Sequence, residues 1–96
     1  MKIIVRVTQK DIRDGKPGNG VLCPVARALH RAVGPVVREV RVGTTSASWS
    51  KEENERGAAI WKFVNLRPRM SLWIQAFDKG QPMKPTRTTL TVQDLI

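Results

Sequence analysis

The chain has 96 residues, and its 17 lysines and arginines against 8 aspartates and glutamates give a formal net charge of +9. A chain of this length has room for one domain, here residues 1–96, with a single core. Hydrophobic residues make up 41% of the sequence, which excludes a wholly disordered basic tail. The only cysteine is Cys23, so a disulfide scaffold and a zinc site built on cysteine pairs are excluded as well.

The excess positive charge favours an acidic partner, which is nucleic acid, a nucleotide, an anionic membrane or an acidic protein face. The apolar run that opens the chain is interrupted at Arg6, which makes it too short for a signal-peptide core or a membrane span. A lone thiol is typical of a reducing compartment. We therefore expect a cytoplasmic protein that does not engage a membrane.

The first half of the chain predicts a strand, a loop, a helix and a second strand. Residues 2 to 8 alternate between two faces, which is the period of a half-buried strand. Glycine, proline and asparagine are concentrated between residues 11 and 20, which predicts a loop. Apolar residues at helical spacing predict a helix over 24–33, and the β-branched residues of 36–42 predict the second strand.

The second half predicts a polar excursion followed by a strand, a helix and a strand. Residues 43–57 are too polar for a core element. Residues 58–64 alternate and are rich in aromatic side chains, so they predict a strand whose Trp61 and Phe63 face the helices. A helix follows Pro68 and is closed by Gly80, and residues 86–92 predict the last strand.

The predicted order is therefore β-α-β-β-α-β, which is the order of the ferredoxin-like α+β plan. In that plan two helices cover one face of a four-stranded, mainly antiparallel sheet. A mixed sheet with the same elements in a different strand order is the alternative.

Several fragments together resemble a group of short bacteriophage and prophage proteins that have no established activity. They are Val7-Thr8-Gln9, a Cys23-Pro24-Val25-Ala26 helix start followed by Ala28-Leu29, and a Phe77-Asp78-x-Gly80 helix end. The resemblance implies a viral origin, the host cytoplasm as location, and a role in host takeover or counter-defence. It implies no catalytic residue.

Arginine is the side chain best suited to binding an anion, because its guanidinium presents a planar fork of donors. The residues at 27, 30 and 31 share one helix face, and those at 67 and 69 oppose the dipole of a helix start unless an anion lies nearby. A solvated outer face is the alternative interpretation of the first group. The candidate anion-binding residues are Arg6, Arg27, His30, Arg31, Arg38, Arg41, Arg67 and Arg69.

Two further residues have both a functional and a structural interpretation. Trp49 lies in the polar excursion, where it either stacks on a base or anchors a protein contact, or is buried by the loop. Cys23 precedes a helix start, which favours a thiolate, although a packed thiol is the favoured interpretation. The single His30 is too far along the helix to pair with it.

We find no catalytic set of residues, so the sequence predicts a non-enzyme without cofactor or metal. The leading hypothesis is a basic protein that binds or sequesters nucleic acid or a signalling nucleotide. The alternatives are an inhibitor that docks on an acidic surface of a host protein, and a subunit that self-associates through the edges of its sheet.

Overall fold

A computed structural model describes residues 2–34, 39–53, 59–91 and 93–94 of the chain. The described part is an α+β structure of three helices and six strands, which confirms the predicted class. In chain order these are β1 (Lys2–Val7), α1 (Gln9–Asp14), α2 (Pro24–Val33), β2 (Glu39–Val42), β3 (Ser46–Glu53), β4 (Ala59–Asn65), α3 (Pro68–Asp78), β5 (Thr86–Thr91) and β6 (Gln93–Asp94).

The strands form two antiparallel sheets, so the predicted ferredoxin-like plan is wrong. β1 pairs with β5, and the second sheet has the order β2-β3-β4-β6. A ferredoxin-like sheet needs the first strand beside the strand that precedes the second long helix. Here that strand is β4, and both of its edges are already paired, with β3 and with β6. The two long helices are also accompanied by a third, α1.

Of the predicted polar excursion at 43–57, residues 46–53 form strand β3, and 54–57 lie outside the described residues. Gly43 donates its N–H to the carbonyl of Ser46, at 2.8 Å, and the chain turns back there into β3. Ala47 and Trp49 are both 2% exposed and alternate with serines, so the period-two pattern is present but only one of its faces is apolar. Trp49 is among the largest fully buried side chains of the protein.

α1 lies where the sequence predicts only a loop, and a capping box starts it. The Thr8 hydroxyl accepts from the Asp11 N–H at 3.2 Å, and the Asp11 carboxylate accepts from the Thr8 N–H at 2.9 Å. These two bonds satisfy donors that the first helical turn leaves without a partner. The helix has only six residues, which is too few for a periodic signal.

The core lies where α2 packs on β1 and the two sheets meet. Cys23 and Pro24 start α2, Gly34 ends it, and its bounds confirm the predicted helix over 24–33. The predicted first strand, the helix after Pro68 and the last strand are confirmed as well. Of the predicted strand 36–42, residues 39–42 form β2, and 36–38 lie outside the described residues. The buried apolar core comprises Val5, Val7, Cys23, Val25, Ala26, Ala28, Leu29, Val40, Val42, Ala47, Trp49, Val64, Leu66, Met70, Ile74 and Leu90.

The prediction that Trp61 and Phe63 face the helices is wrong. Val64 is 4% exposed and lies in the core opposite Ala47, whereas its neighbour Phe63 is 39% exposed. Side chains alternate along a strand, so Trp61 shares the face of Phe63, away from the core. No helix of the described part is long and apolar enough to span a membrane.

Candidate anion-binding site

A cleft of about 850 Å³ lies between the start of α3 and β5, and we call it the α3–β5 cleft. Four of its lining residues are cationic, and none of the described ones is acidic. It is lined by Arg67, Pro68, Arg69, Met70, Trp73, Met83, Lys84, Pro85, Thr86, Arg87, Thr88 and Thr89. All four cationic residues are exposed to solvent.

Two hydrogen bonds fix the walls of the cleft. Arg67 occupies the position before the first residue of α3 and donates its Nε–H to the carbonyl of Thr89 on β5, at 3.2 Å. Trp73 donates its Nε1–H to the carbonyl of Lys84 at 3.2 Å, and its ring stacks on Phe77 with the centroids 5.9 Å apart. The segment that carries Lys84 is therefore held against α3, and the cations of both walls face one cleft.

The basic surface continues from the cleft onto β1 through Arg87. Arg87 lies directly opposite Arg6 in the antiparallel register of β1 and β5, and both side chains are exposed. Arg87 lines the cleft and also a shallow depression of about 480 Å³ that Arg6 helps to line. Like charges placed directly across two strands repel each other, and a bound anion would offset this repulsion.

Two of the three predicted candidates on α2, Arg27 and Arg31, have carboxylate partners. Arg31 donates to both carboxylate oxygens of Asp11, at 3.1 and 2.7 Å, and to the carbonyl of Arg6 at 2.8 Å. Burial alone would raise the pKa of Asp11, but hydrogen bonds from Arg31 and Thr8 outweigh it and hold the pKa below its ordinary value. The hydrogen bond to Asp11 raises the pKa of Arg31 in turn. This pair joins α1 to α2.

The remaining candidates of the first half do not converge on one site. Arg27 lies 3.7 Å from Asp11 and 3.8 Å from Asp14, and its buried Nε has no hydrogen-bond partner among the described residues. Arg41 forms a 2.7 Å ion pair with Glu39. His30 is exposed beside Arg31, and Arg38 lies outside the described residues.

Trp49 and Cys23 are both buried, so each has a structural role and not the alternative functional one. Trp49 is 2% exposed in the core, so its ring is not available to stack on a base or to anchor a partner. The Cys23 thiol is buried and accepts from the Ala26 N–H at 3.4 Å as the cap of α2. Burial raises the pKa of Cys23, which disfavours a nucleophilic thiolate.

Sequence reasoning identified Arg67 and Arg69 but missed the other wall of the cleft. Lys84 follows the end of α3, where a cation has an ordinary explanation in the helix dipole, and Arg87 stands alone among the threonines of a strand. The alternation in β5 was the available signal, since it places Arg87 on the exposed face, opposite to Leu90. Asp78, at the end of α3, accepts from the Gly18 N–H at 2.8 Å and holds that loop.

Among the described residues, no group of three or more histidine, cysteine, aspartate and glutamate side chains is placed to hold a metal ion. Comparison of the chain with protein-family models, curated proteins and solved structures yields no match. The site is therefore interpreted from its own geometry and charge.

Proposed function

We propose that this protein binds nucleic acid through its phosphate backbone, and that the α3–β5 cleft is the principal contact. The observation that carries the proposal is the separation of charges. The cleft gathers Arg67, Arg69, Lys84 and Arg87 without a carboxylate among its described lining residues, whereas Arg31 is neutralised by Asp11. Cations without a carboxylate partner are the groups that can replace the counterions of a phosphate chain.

The start of α3 supports an anionic ligand. Arg67 and Arg69 lie at the positive end of the helix dipole, and the first turn of α3 contains no acidic residue to offset them. A phosphate at this position would receive favourable interactions from both guanidinium groups and from the dipole. The ligand would therefore relieve an unfavourable arrangement of charge in the free protein.

The exposure of the cleft favours a polymer over a free nucleotide. A small ligand in its pocket has most of its surface buried, whereas the four cations of this cleft are all exposed. The basic surface also extends past the cleft to Arg6, which would suit a chain of regularly spaced phosphates. The inhibitor hypothesis depended on an exposed Trp49, and that side chain is buried.

The proposal is tested by fluorescence anisotropy with labelled oligonucleotides over a series of salt concentrations. We expect binding at low salt. The logarithm of the association constant should fall linearly with the logarithm of the salt concentration. Arg69→Gln should weaken binding to every sequence and reduce the salt slope by about 1. Arg13→Gln is the matched control, because Arg13 is paired with Asp14 at 3.2 Å and does not line the cleft.

Failure to bind any oligonucleotide at low salt would contradict the proposal. If the protein instead retained an acidic host protein after nuclease treatment, the inhibitor hypothesis would replace it. A loss of affinity in Arg13→Gln as large as that in Arg69→Gln would show that overall charge matters and the cleft does not.

A further inference from the structure

The outer face of the second sheet carries two aromatic rings that the core does not use. Trp61 and Phe63 are two residues apart on β4, so their side chains project from the same face about 7 Å apart along the strand. Phe63 is 39% exposed and Trp61 is partly exposed. Aromatic side chains on the open face of a sheet are surfaces on which nucleobases stack.

The strand next to the rings, β3, places serines beside them. Ser48 lies directly opposite Phe63, and Ser50 lies directly opposite Trp61, in the register of β3 and β4. Ser50 is 4% exposed and Ser48 is partly exposed, so this face is more open beside Phe63 than beside Trp61. On the core side of the same strand pair the positions are occupied by Ala47 and Trp49, which are buried. The serines of β3, which made this segment look like a loop, are therefore the small residues that border the rings.

Arg41 on β2 completes this face. Its Cζ lies 5.6 Å from the centroid of the Trp61 ring, and its Nε donates to Glu39 at 2.7 Å. The guanidinium therefore lies over the Trp61 ring, and its plane is itself a surface on which a base can stack. Phe63 lies opposite Ser48 on β3 and opposite Gln93 on β6.

A groove of about 230 Å³ joins Phe63 to the α3–β5 cleft. Phe63 and Asn65 lie on its β4 side, and Thr89 and Thr91 lie on its β5 side. Arg67 lines both this groove and the cleft, and so does Thr89. An extended chain of nucleotides can thus run from Phe63 past Arg67 to the other cations.

We propose that the ligand is a single-stranded nucleic acid, whose bases stack on Phe63 and on the pair formed by Trp61 and Arg41, while its phosphates lie along the groove and the α3–β5 cleft. This inference rests on the proposed function, and it specifies the strandedness of the ligand. Bases that are paired in a duplex have their faces covered by their neighbours, so they cannot reach the two rings without being unstacked. Stacking also tolerates any base, so we expect little sequence preference.

The test compares labelled oligothymidylate, oligouridylate and a DNA duplex of the same length at one salt concentration. We expect both single strands to bind at least about 10-fold more tightly than the duplex, because the duplex has only the electrostatic contacts. The arms with thymidylate and uridylate distinguish DNA from RNA as the source of the strand.

The Phe63→Ala variant should bind single strands about 5- to 100-fold more weakly and leave duplex binding unchanged. Phe63→Leu keeps an apolar side chain without a ring face and should lose nearly as much, whereas Phe63→Tyr should restore binding. Leu72→Ala is the matched control, because Leu72 is an exposed apolar residue on α3, 66% exposed, outside the groove and the cleft. Far-UV circular dichroism confirms that each variant is folded.

The outcomes separate this inference from the proposed function. If the duplex binds as tightly as the single strands, or if Phe63→Leu binds single strands like the wild type, the stacking surface is refuted and backbone binding stands. If no oligonucleotide binds at low salt, both proposals are refuted together.

Discussion

The Asp11 carboxylate and the Arg31 guanidinium form a two-bond pair, with distances of 3.1 Å and 2.7 Å, that joins α1 to α2. Asp11 is 1% exposed, and the same carboxylate also accepts the Thr8 N–H. One side chain therefore caps a helix and neutralises an arginine at the same time. Because Asp11 pairs with the guanidinium of Arg31, this cation is not available to an anionic ligand. Fewer cations of the first half are therefore available for binding than its net charge suggests.

Replacing Asp11 with asparagine should lower the free energy of unfolding by about 2 to 3 kcal/mol. The variant keeps the shape of the side chain but loses the charge that Arg31 and the Thr8 N–H bind, and hydrogen bonds to charged groups are the strong ones. Urea denaturation measures the change. Asp14→Asn is the matched control, since its ion pairs are exposed and should contribute less than about 1 kcal/mol. Equal midpoints for the two variants would contradict the role assigned to Asp11.

The same pair predicts a dependence of stability on pH. The folded protein holds the pKa of Asp11 below its ordinary value, which is about 3.9 in an unfolded chain. Its stabilisation is therefore fully present above the unfolded pKa, and it is lost as the pH falls through the folded pKa. The difference in unfolding free energy between the wild type and Asp11→Asn should stay constant from about pH 7 to 5 and shrink below about pH 4. A constant difference down to about pH 2 would argue against the lowered pKa.

The long helices were predictable because several local signals agree on each one. In α2 the apolar spacing, the proline in the first turn and the glycine after the last residue all point to residues 24–33. The strands β1 and β5 were predictable from alternation in the same way. The pairing of these strands was not predictable. The alternation in a strand shows which residues share a face, but it does not show which strand lies beside it.

The predictions for β3, β4 and the cations of α2 were wrong or incomplete for physical reasons. Both faces of β4 carry apolar side chains, so the sequence does not say whether Phe63 or Val64 faces the core. The serines of β3 conceal a strand whose other face buries Trp49. The pairing of Arg31 with Asp11 spans 20 positions, so composition alone could not separate paired cations from those of the α3–β5 cleft.

Gly20 is predicted to be intolerant of a side chain because of a close backbone approach. A Cβ at this position would lie 2.8 Å from the carbonyl oxygen of Val42, and the Gly20 carbonyl accepts the Val42 N–H at 2.7 Å. Gly20→Ala should therefore force the loop away from β2. We expect the free energy of unfolding to fall by about 1 to 3 kcal/mol and the melting temperature to fall by several degrees. Gly43→Ala is the control, since its Cβ would make an ordinary 3.6 Å contact. Equal melting temperatures would contradict this packing.

Cys23 should react slowly with a thiol reagent in the folded protein. The thiol is buried, and burial raises its pKa, so little thiolate is present at neutral pH. We expect the rate of reaction with a disulfide reagent to rise at least about 100-fold in denaturant, where the pKa returns to about 8.5. Rapid modification of the native protein would indicate an exposed, activated thiol instead.

The pair of Arg6 and Arg87 predicts opposite effects on stability and on binding. The two residues lie directly across from each other on β1 and β5, where like charges repel. Arg87→Thr should raise the free energy of unfolding by about 0.2 to 1 kcal/mol at low salt, and the gain should disappear at high salt as the charges are screened.

The same variant should weaken binding of oligonucleotides and reduce the salt slope by about 1, because Arg87 lines the α3–β5 cleft. Arg13→Gln, the control in the binding assay, should leave affinity unchanged. A variant that is more stable and binds equally well would show that the repulsion is real but that Arg87 does not contact the ligand.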